Sequence, residues 1–244
     1  AHGQLDAAHA KAIEEKLIRT ITDPQRARLR GMAENPLLLT MMALILYNQG
    51  ELPRDRPQLY ERILDLLLGQ WDKVREGESL AEAVKMPSWE SRDFLPLLDR
   101  LCYEAHRDAG SGDGRGQLSR AALYLALIDF FKAARAPDPG HSALCCLDYF
   151  EQRSGLLVAD SGDTYAFAHL TLQEHGAGRY LAVQSEEPAG LLLKHRADDR
   201  WREPIMLGTG LLRSGDLYTL LADLIDRVAA NLVSLPDVVI PRVH

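Results

Sequence analysis

The chain has 244 residues, 46% hydrophobic and 26% charged, the composition of an ordinary globular protein with room for one large or two to three small domains. Its formal net charge of -7 argues against a general nucleic-acid or anionic-membrane surface. Its longest apolar run, Pro36 to Tyr47, is too short to span a bilayer.

Taken in chain order, nearly every segment but one predicts helix. Residues 7–21 form an amphipathic candidate. Asp23 before Pro24, and Asn35 before Pro36, each place a capping side chain ahead of a first-turn proline. The helix opened by Pro36, Leu37 to Tyr47, is apolar on almost every side and is expected to be central, with Gly50 ending it. Pro57 to Trp71 is periodic, with Leu59, Ile63, Leu66, Leu67 and Trp71 on one face. A polar stretch, 75–91, predicts a loop or a short irregular helix. Arg92 to Arg107 predicts a helix with Phe94, Leu97, Leu98, Leu101 and Cys102 inward. Ala109 to Gln117 is glycine-rich, but no Lys-Ser/Thr follows it and no apolar strand precedes it, so it reads as a linker rather than a phosphate loop. Ser119 is expected to cap the next helix, stapled by Leu118 and Leu123, with Leu127, Phe130 and Phe131 buried. Ser142 is expected to cap a shorter one carrying Cys146, Leu147 and Phe150.

The exception is Gly155 to Ala182. Leu156 to Asp160 and Thr164 to His169 read as two strands joined by the turn Ser161-Gly162-Asp163. Thr171 and Glu174 then have the spacing of a capping box, which predicts a helix from about residue 172. His169 thus falls at a strand end just before a helix N-terminus. Free backbone N–H groups and a positive partial charge there suit an anion such as a phosphate. A histidine at a strand end also serves to satisfy a local hydrogen bond, and a proline behind an asparagine cap needs no ligand to explain it. Gln173 and Glu174 read as cap and packing residues, and His106 and His175 as surface or partly buried. Beyond Pro188 the chain returns to helix. Trp201, Ile205 and Leu212 share a face, and Asp216 is expected to cap Leu217 to Leu232, striped by Leu217, Leu220, Leu221, Leu224, Val228 and Leu232. The tail Val238-Val239-Ile240 is apolar and ends abruptly, and the first residue is Ala rather than Met, with no signal peptide. Both ends read as those of a piece of a longer chain. The three cysteines, Cys102, Cys145 and Cys146, show no C-x-x-C spacing. They fit a reducing cytoplasm and offer no zinc site, with Cys145 and Cys146 read as buried fillers.

The stretch Phe167, His169, Thr171, Leu172, Gln173, Glu174, His175, Ala177, Gly178, Tyr180, Leu181 resembles the winged-helix signature of NACHT-type signalling NTPases of the STAND class, F-x-H-x-T/S-F-Q-E-Y/F-x-A-A/G-x-Y-L. Leu172 stands for the usual Phe and His175 for the usual aromatic. Asn35-Pro36-Leu37-Leu38-Leu39-Thr40, Leu52-Pro53 and Leu59-Tyr60 are similar to the first helical domain of that family. Arg200-Trp201-Arg202-Glu203-Pro204-Ile205 and Gly210-Leu211-Leu212 are similar to the helices after its winged helix. The resemblance implies a mainly α fold: helical domain 1 over 1–78, a winged-helix domain with one β-hairpin over 79–184, and the start of a helical, possibly repeat-like, domain 2 over 185–244. It also implies an upstream nucleotide-binding domain carrying the phosphate loop and the acids that hold magnesium. Neither motif occurs in this chain. Carried over residue by residue, Pro36 takes the position that packs on the adenine, and His169 the position that reaches the β-phosphate of ADP.

The function implied is that of a switch in an ATP-binding NTPase of signalling and defence, with no catalytic residue or metal ligand of its own. ADP would hold the winged helix against the nucleotide domain, and exchange to ATP would free it to rotate and support homo-oligomerisation toward an unidentified effector. A helical protein-interaction scaffold is the alternative. A DNA-binding winged helix is disfavoured, because acids outnumber bases between Ser111 and Gln184 and the wing tip carries Asp160 and Asp163.

Overall fold

Paired caps and prolines set the first helices. A computed structural model describes residues 7–70, 78–109, 115–160 and 162–233. Helix α1 spans Ala7–Thr22. Asp23 accepts from Gln25 N to start a 3-10 turn, Pro24–Arg26, which runs into α2, Ala27–Ala33. Asn35 caps α3, Pro36–Gln49, which buries Leu38, Met41, Met42, Ile45 and Leu46 but leaves Leu37, Leu39, Ala43 and Leu44 partly buried and Tyr47 exposed, so the helix is less enclosed than its apolar circumference predicts. Asp55 caps α4, Arg56–Asp65, which widens into a five-residue π turn, Leu66–Gln70. The expected Trp71 of that face lies outside the described residues.

A capping box between Ser79 and Glu82 opens the short α5, Leu80–Ala83, within the stretch expected to be loop or short helix. Helix α6, Ser91–Asp108, buries Phe94, Leu97, Leu98, Leu101 and Cys102. Most of the expected linker lies outside the described residues, but its end does not behave as one. Gly116 is buried, so close to α6 that a Cβ there would stand 1.6 Å from Ala105 O. Gln117–Ser119 then form a strand, β1. Ser119 Oγ accepts from Ala122 N to cap α7, Arg120–Ala133. Helix α8, Pro139–Asp148, is capped by Asp138 and not by Ser142. Asp138 has the free first-turn position ahead of Pro139, whereas Ser142 lies inside the helix and donates to Val84 O at 2.7 Å.

The wing is larger than the predicted hairpin. Strands β2, Leu157–Ala159, and β3, Thr164–Phe167, pair antiparallel, and β1 adds to the other edge of β3 in register Gln117 to Ala166. Among the described residues the sheet has three strands in the order β1-β3-β2. Helix α9, Leu170–Arg179, follows directly and continues as a π turn, Tyr180–Gln184. It starts two residues earlier than the Thr171–Glu174 spacing predicts. His169 is its extended N-cap residue, and Thr171 Oγ1 is buried without a hydrogen-bond partner instead of capping. Helices α10, Pro188–His195, α11, Arg202–Thr209, and α12, Ser214–Val233, complete the described chain. Helix α12 begins at Ser214, before the expected cap Asp216. Of its expected stripe Leu220 is buried, Leu221 and Leu224 are exposed, and the Val228 and Leu232 side chains lie outside the described residues.

Helix α9 is the hub: it packs on α6 along one side and on α11 along another. Gly178 costs the helix about 1 kcal/mol relative to Ala, yet a Cβ there would stand 2.5 Å from Pro204 O, and a Cβ on Gly208 would stand 2.6 Å from Gly178 O. The two backbones therefore touch with nothing between them. The main core runs from α1 to the start of α9, and a second cluster of Ala177, Leu181, Ala189, Leu192, Leu193, Trp201 and Leu220 continues it into the last helices.

Candidate functional site

Two helix starts meet at one side chain. Asn35 has extended backbone (φ -90°, ψ 120°), and its Oδ1 accepts from Leu37 N at 2.9 Å and Leu38 N at 3.3 Å. With Oδ1 taken by the cap, Nδ2 faces the other way. It stands 3.0 Å from His169 Nδ1, 134 residues along the chain. His169 is half-buried, and Pro36, next to Asn35, is exposed at the first position of α3. The two residues singled out in the sequence, Pro36 and His169, are thus brought together through a third that was read only as a cap.

The ring of His169 is constrained further. An amide NH2 can only donate, so Nδ1 accepts and the neutral ring carries its proton on Nε2. Burial lowers its pKa, and the positive charge of Arg115 lowers it again. Among the described residues Nε2 has no hydrogen-bond partner. In the first turn of α9, Leu172 N and Gln173 N bond to His169 O, so the backbone donors beside the ring are the N–H groups of Leu170 and Thr171, at the positive end of the helix dipole. On the outer face of the sheet, next in chain to His169, lies a shallow depression of about 410 Å³ lined by Arg115, Gln117, Val158, Asp160, Ala166 and Ala168. This arrangement offers a neutral N–H donor, a helix N-terminus and a nearby guanidinium. Groups of these kinds suit an anion and call for no covalent chemistry. Arg115 could not be found from the sequence, because it lay inside a segment read as linker.

Behind this edge the signature residues face inward. His106 and His175 were expected at the surface or partly buried, but they are 1% and 0% exposed. Both fall on the apolar stripes of their helices, His106 one turn from Cys102 and His175 three residues from Leu172. Gln173 Oε1 accepts from Gly116 N at 3.2 Å, and Gln173 Nε2 donates to His106 Nδ1 at 3.0 Å. His106 Nε2 then donates to Arg200 O at 3.0 Å. His175 stacks on Tyr60 with ring centroids 4.9 Å apart, and burial pulls its pKa down to about 3. Burial pushes Glu174 up to about 7, with Glu203 reinforcing the shift and Arg56 opposing it. Asp99 also rises to about 7, because burial outweighs the Arg179 guanidinium 3.2 Å away. Arg179 reaches Glu61 of α4 as well, at 2.8 Å. Cys146 is buried as expected. Cys145 is only partly so, and its Sγ lies 3.5 Å from His141 Nε2. Among the described residues no group of His, Cys, Asp and Glu has metal-site geometry, and no helix is long and apolar enough to cross a membrane.

Comparison with known proteins agrees with the architecture. Residues 56–182, just over half of the chain, match the family described as the winged helix-turn-helix domain C-terminal to NACHT. No curated protein and no solved structure matches the chain significantly. The mainly α fold, the small antiparallel sheet followed by α9, and this match lead to one assignment: the chain belongs to the family of winged helix-turn-helix domains that follow NACHT nucleotide-binding domains.

Proposed function

We propose that this chain is the regulatory part of a NACHT NTPase and that it contacts the nucleotide held by an upstream domain, with ADP bound at rest. His169 would donate from Nε2 to a phosphate oxygen, the first turn of α9 would add its N–H groups, and Pro36 would pack its exposed ring on the adenine. The phosphate loop and the acids for Mg would come from the upstream domain. Loss of the His169 contact on exchange to ATP would release the winged helix for homo-oligomerisation and signalling. The observation that carries this reading is the Asn35 side chain, which ties the Pro36 helix start to His169 and leaves one ring nitrogen without a hydrogen-bond partner among the described residues. The residues fit an anion contact: the donor is neutral, so it imposes no buried charge when the site is empty. The test is the amount of ADP that co-purifies with the parent protein. His169→Ala is expected to retain less ADP and to oligomerise more readily. Unchanged occupancy ends the reading.

A second reading has its own observation. Tyr218, Leu221, Leu224 and Ile225 of α12 are 76%, 47%, 38% and 66% exposed, an apolar face that suits a protein contact. It favours a scaffold function for the last helix, and crosslinking from Tyr218 in the parent protein tests it.

A further inference from the structure

Resting on the reading above, we infer that Asn35 is a positioning residue for the nucleotide contact: it sets the tautomer of His169 and ties that ring to the start of α3. The argument needs only valence. The cap occupies Oδ1 through Leu37 N and Leu38 N, so the amide cannot flip without losing two hydrogen bonds. Nδ2 therefore faces His169 Nδ1 as a donor. A ring protonated on Nδ1 would set two donors against each other. Asn35 thus excludes both the other neutral tautomer and the imidazolium, in the same direction as burial and Arg115. What remains is a ring with one N–H, on Nε2, facing away from α3.

Two consequences separate this device from a plain helix cap. The phosphate contact is a neutral hydrogen bond, so it does not require His169 to gain a proton. In addition, the contact joins two segments far apart in sequence. A swing of α9 away from α3 breaks the Asn35 bond and frees the ring to change tautomer or take up a proton. The geometry of the ligand contact and the docking of the two helix starts are then one event.

Three substitutions at one position divide the roles. Asn35→Ser keeps a capping oxygen but does not reach His169. Asn35→Asp keeps the cap and presents an acceptor to Nδ1. Asn35→Ala removes both, and its difference from Asn35→Ser reports the stability of the cap. Long-range 15N–1H spectra of the chain, with His169 assigned by its absence in His169→Ala, read the tautomer directly. The wild type is expected to show Nε2–H with an unprotonated Nδ1 from pH 6 to 8. Asn35→Ser is expected to populate both tautomers. In Asn35→Asp the His169 pKa is expected to rise by about one pH unit or more. A wild-type ring protonated on Nδ1, or an unchanged tautomer and pKa in both variants, overturns the proposal. In the parent protein, Asn35→Ser is expected to lose about tenfold in ADP retention, with no further loss when combined with His169→Ala. If the tautomer responds but ADP retention responds to neither variant, Asn35 still orients the ring and the nucleotide reading is what fails.

Discussion

His106 and His169 are the same device in two settings. Each ring accepts at Nδ1 from a side-chain amide, Gln173 in one case and Asn35 in the other, and each amide is oriented because its oxygen is taken by backbone N–H. His106 is 1% exposed and spends Nε2 on Arg200 O, so its valences are closed within the fold. His169 is half-buried at the edge of the molecule and has Nε2 to spare. The difference lies in which nitrogen the described residues leave unused, and on the function proposed above that nitrogen, rather than residue type or local sequence, is what marks His169 for a ligand.

The sharpest way to break the comparison is Gln173→Ala. It strands Gly116 N–H and His106 Nδ1 in the interior. Unpaired buried groups cost about 1–3 kcal/mol each, so urea unfolding is expected to show a loss of about 3 kcal/mol, with ADP handling in the parent affected only through folding. Next comes the partly buried acid of α9, Glu174. The folded pKa of Glu174 lies near 7, above the unfolded value of about 4.3. The folded state therefore binds the extra proton between those values, and stability from this group is present at low pH and lost as pH rises through 7. Glu174→Gln is expected to gain on the wild type as pH goes from 5 to 8 in thermal unfolding, and parallel curves would contradict the shift. His169→Ala is expected to cost about 1 kcal/mol or less, since Asn35 keeps its cap and its freed NH2 borders solvent. The smallest effect is Arg115→Ala, which is expected to raise the His169 pKa in an NMR titration by removing the lesser of its two depressing causes.

Local chemistry made most of the helices legible. Asp23-Pro24, Asn35-Pro36 and Ser119 act as the caps their residue types predict. Strand β1 was hidden because it has three residues behind a glycine-rich run and gains its order from pairing with β3, some 47 residues on. The start of α9 was misplaced because Thr171 and Glu174 match a capping motif while tertiary packing turns both toward α4 and α11. Within the site, Pro36 and His169 came from the resemblance, but their partner Asn35 could not. A 3.0 Å bond across 134 residues leaves no mark on either local segment. The inward histidines were within reach, since both sit in phase with leucines and cysteines on their own helices.

The bare contact of Gly178 with Gly208 has a mechanical meaning. Helix α9 has ten residues, about 15 Å of rigid rod, with His169 at one end and the glycine contact at the other. Flexible side chains absorb displacement where helices ordinarily meet, and here none intervenes. A tilt imposed at the histidine end therefore reaches α11 undamped, as a crank turns an axle keyed to it. Any larger residue at 178 or 208 would first have to part the two backbones, and the two ends would begin to move out of step.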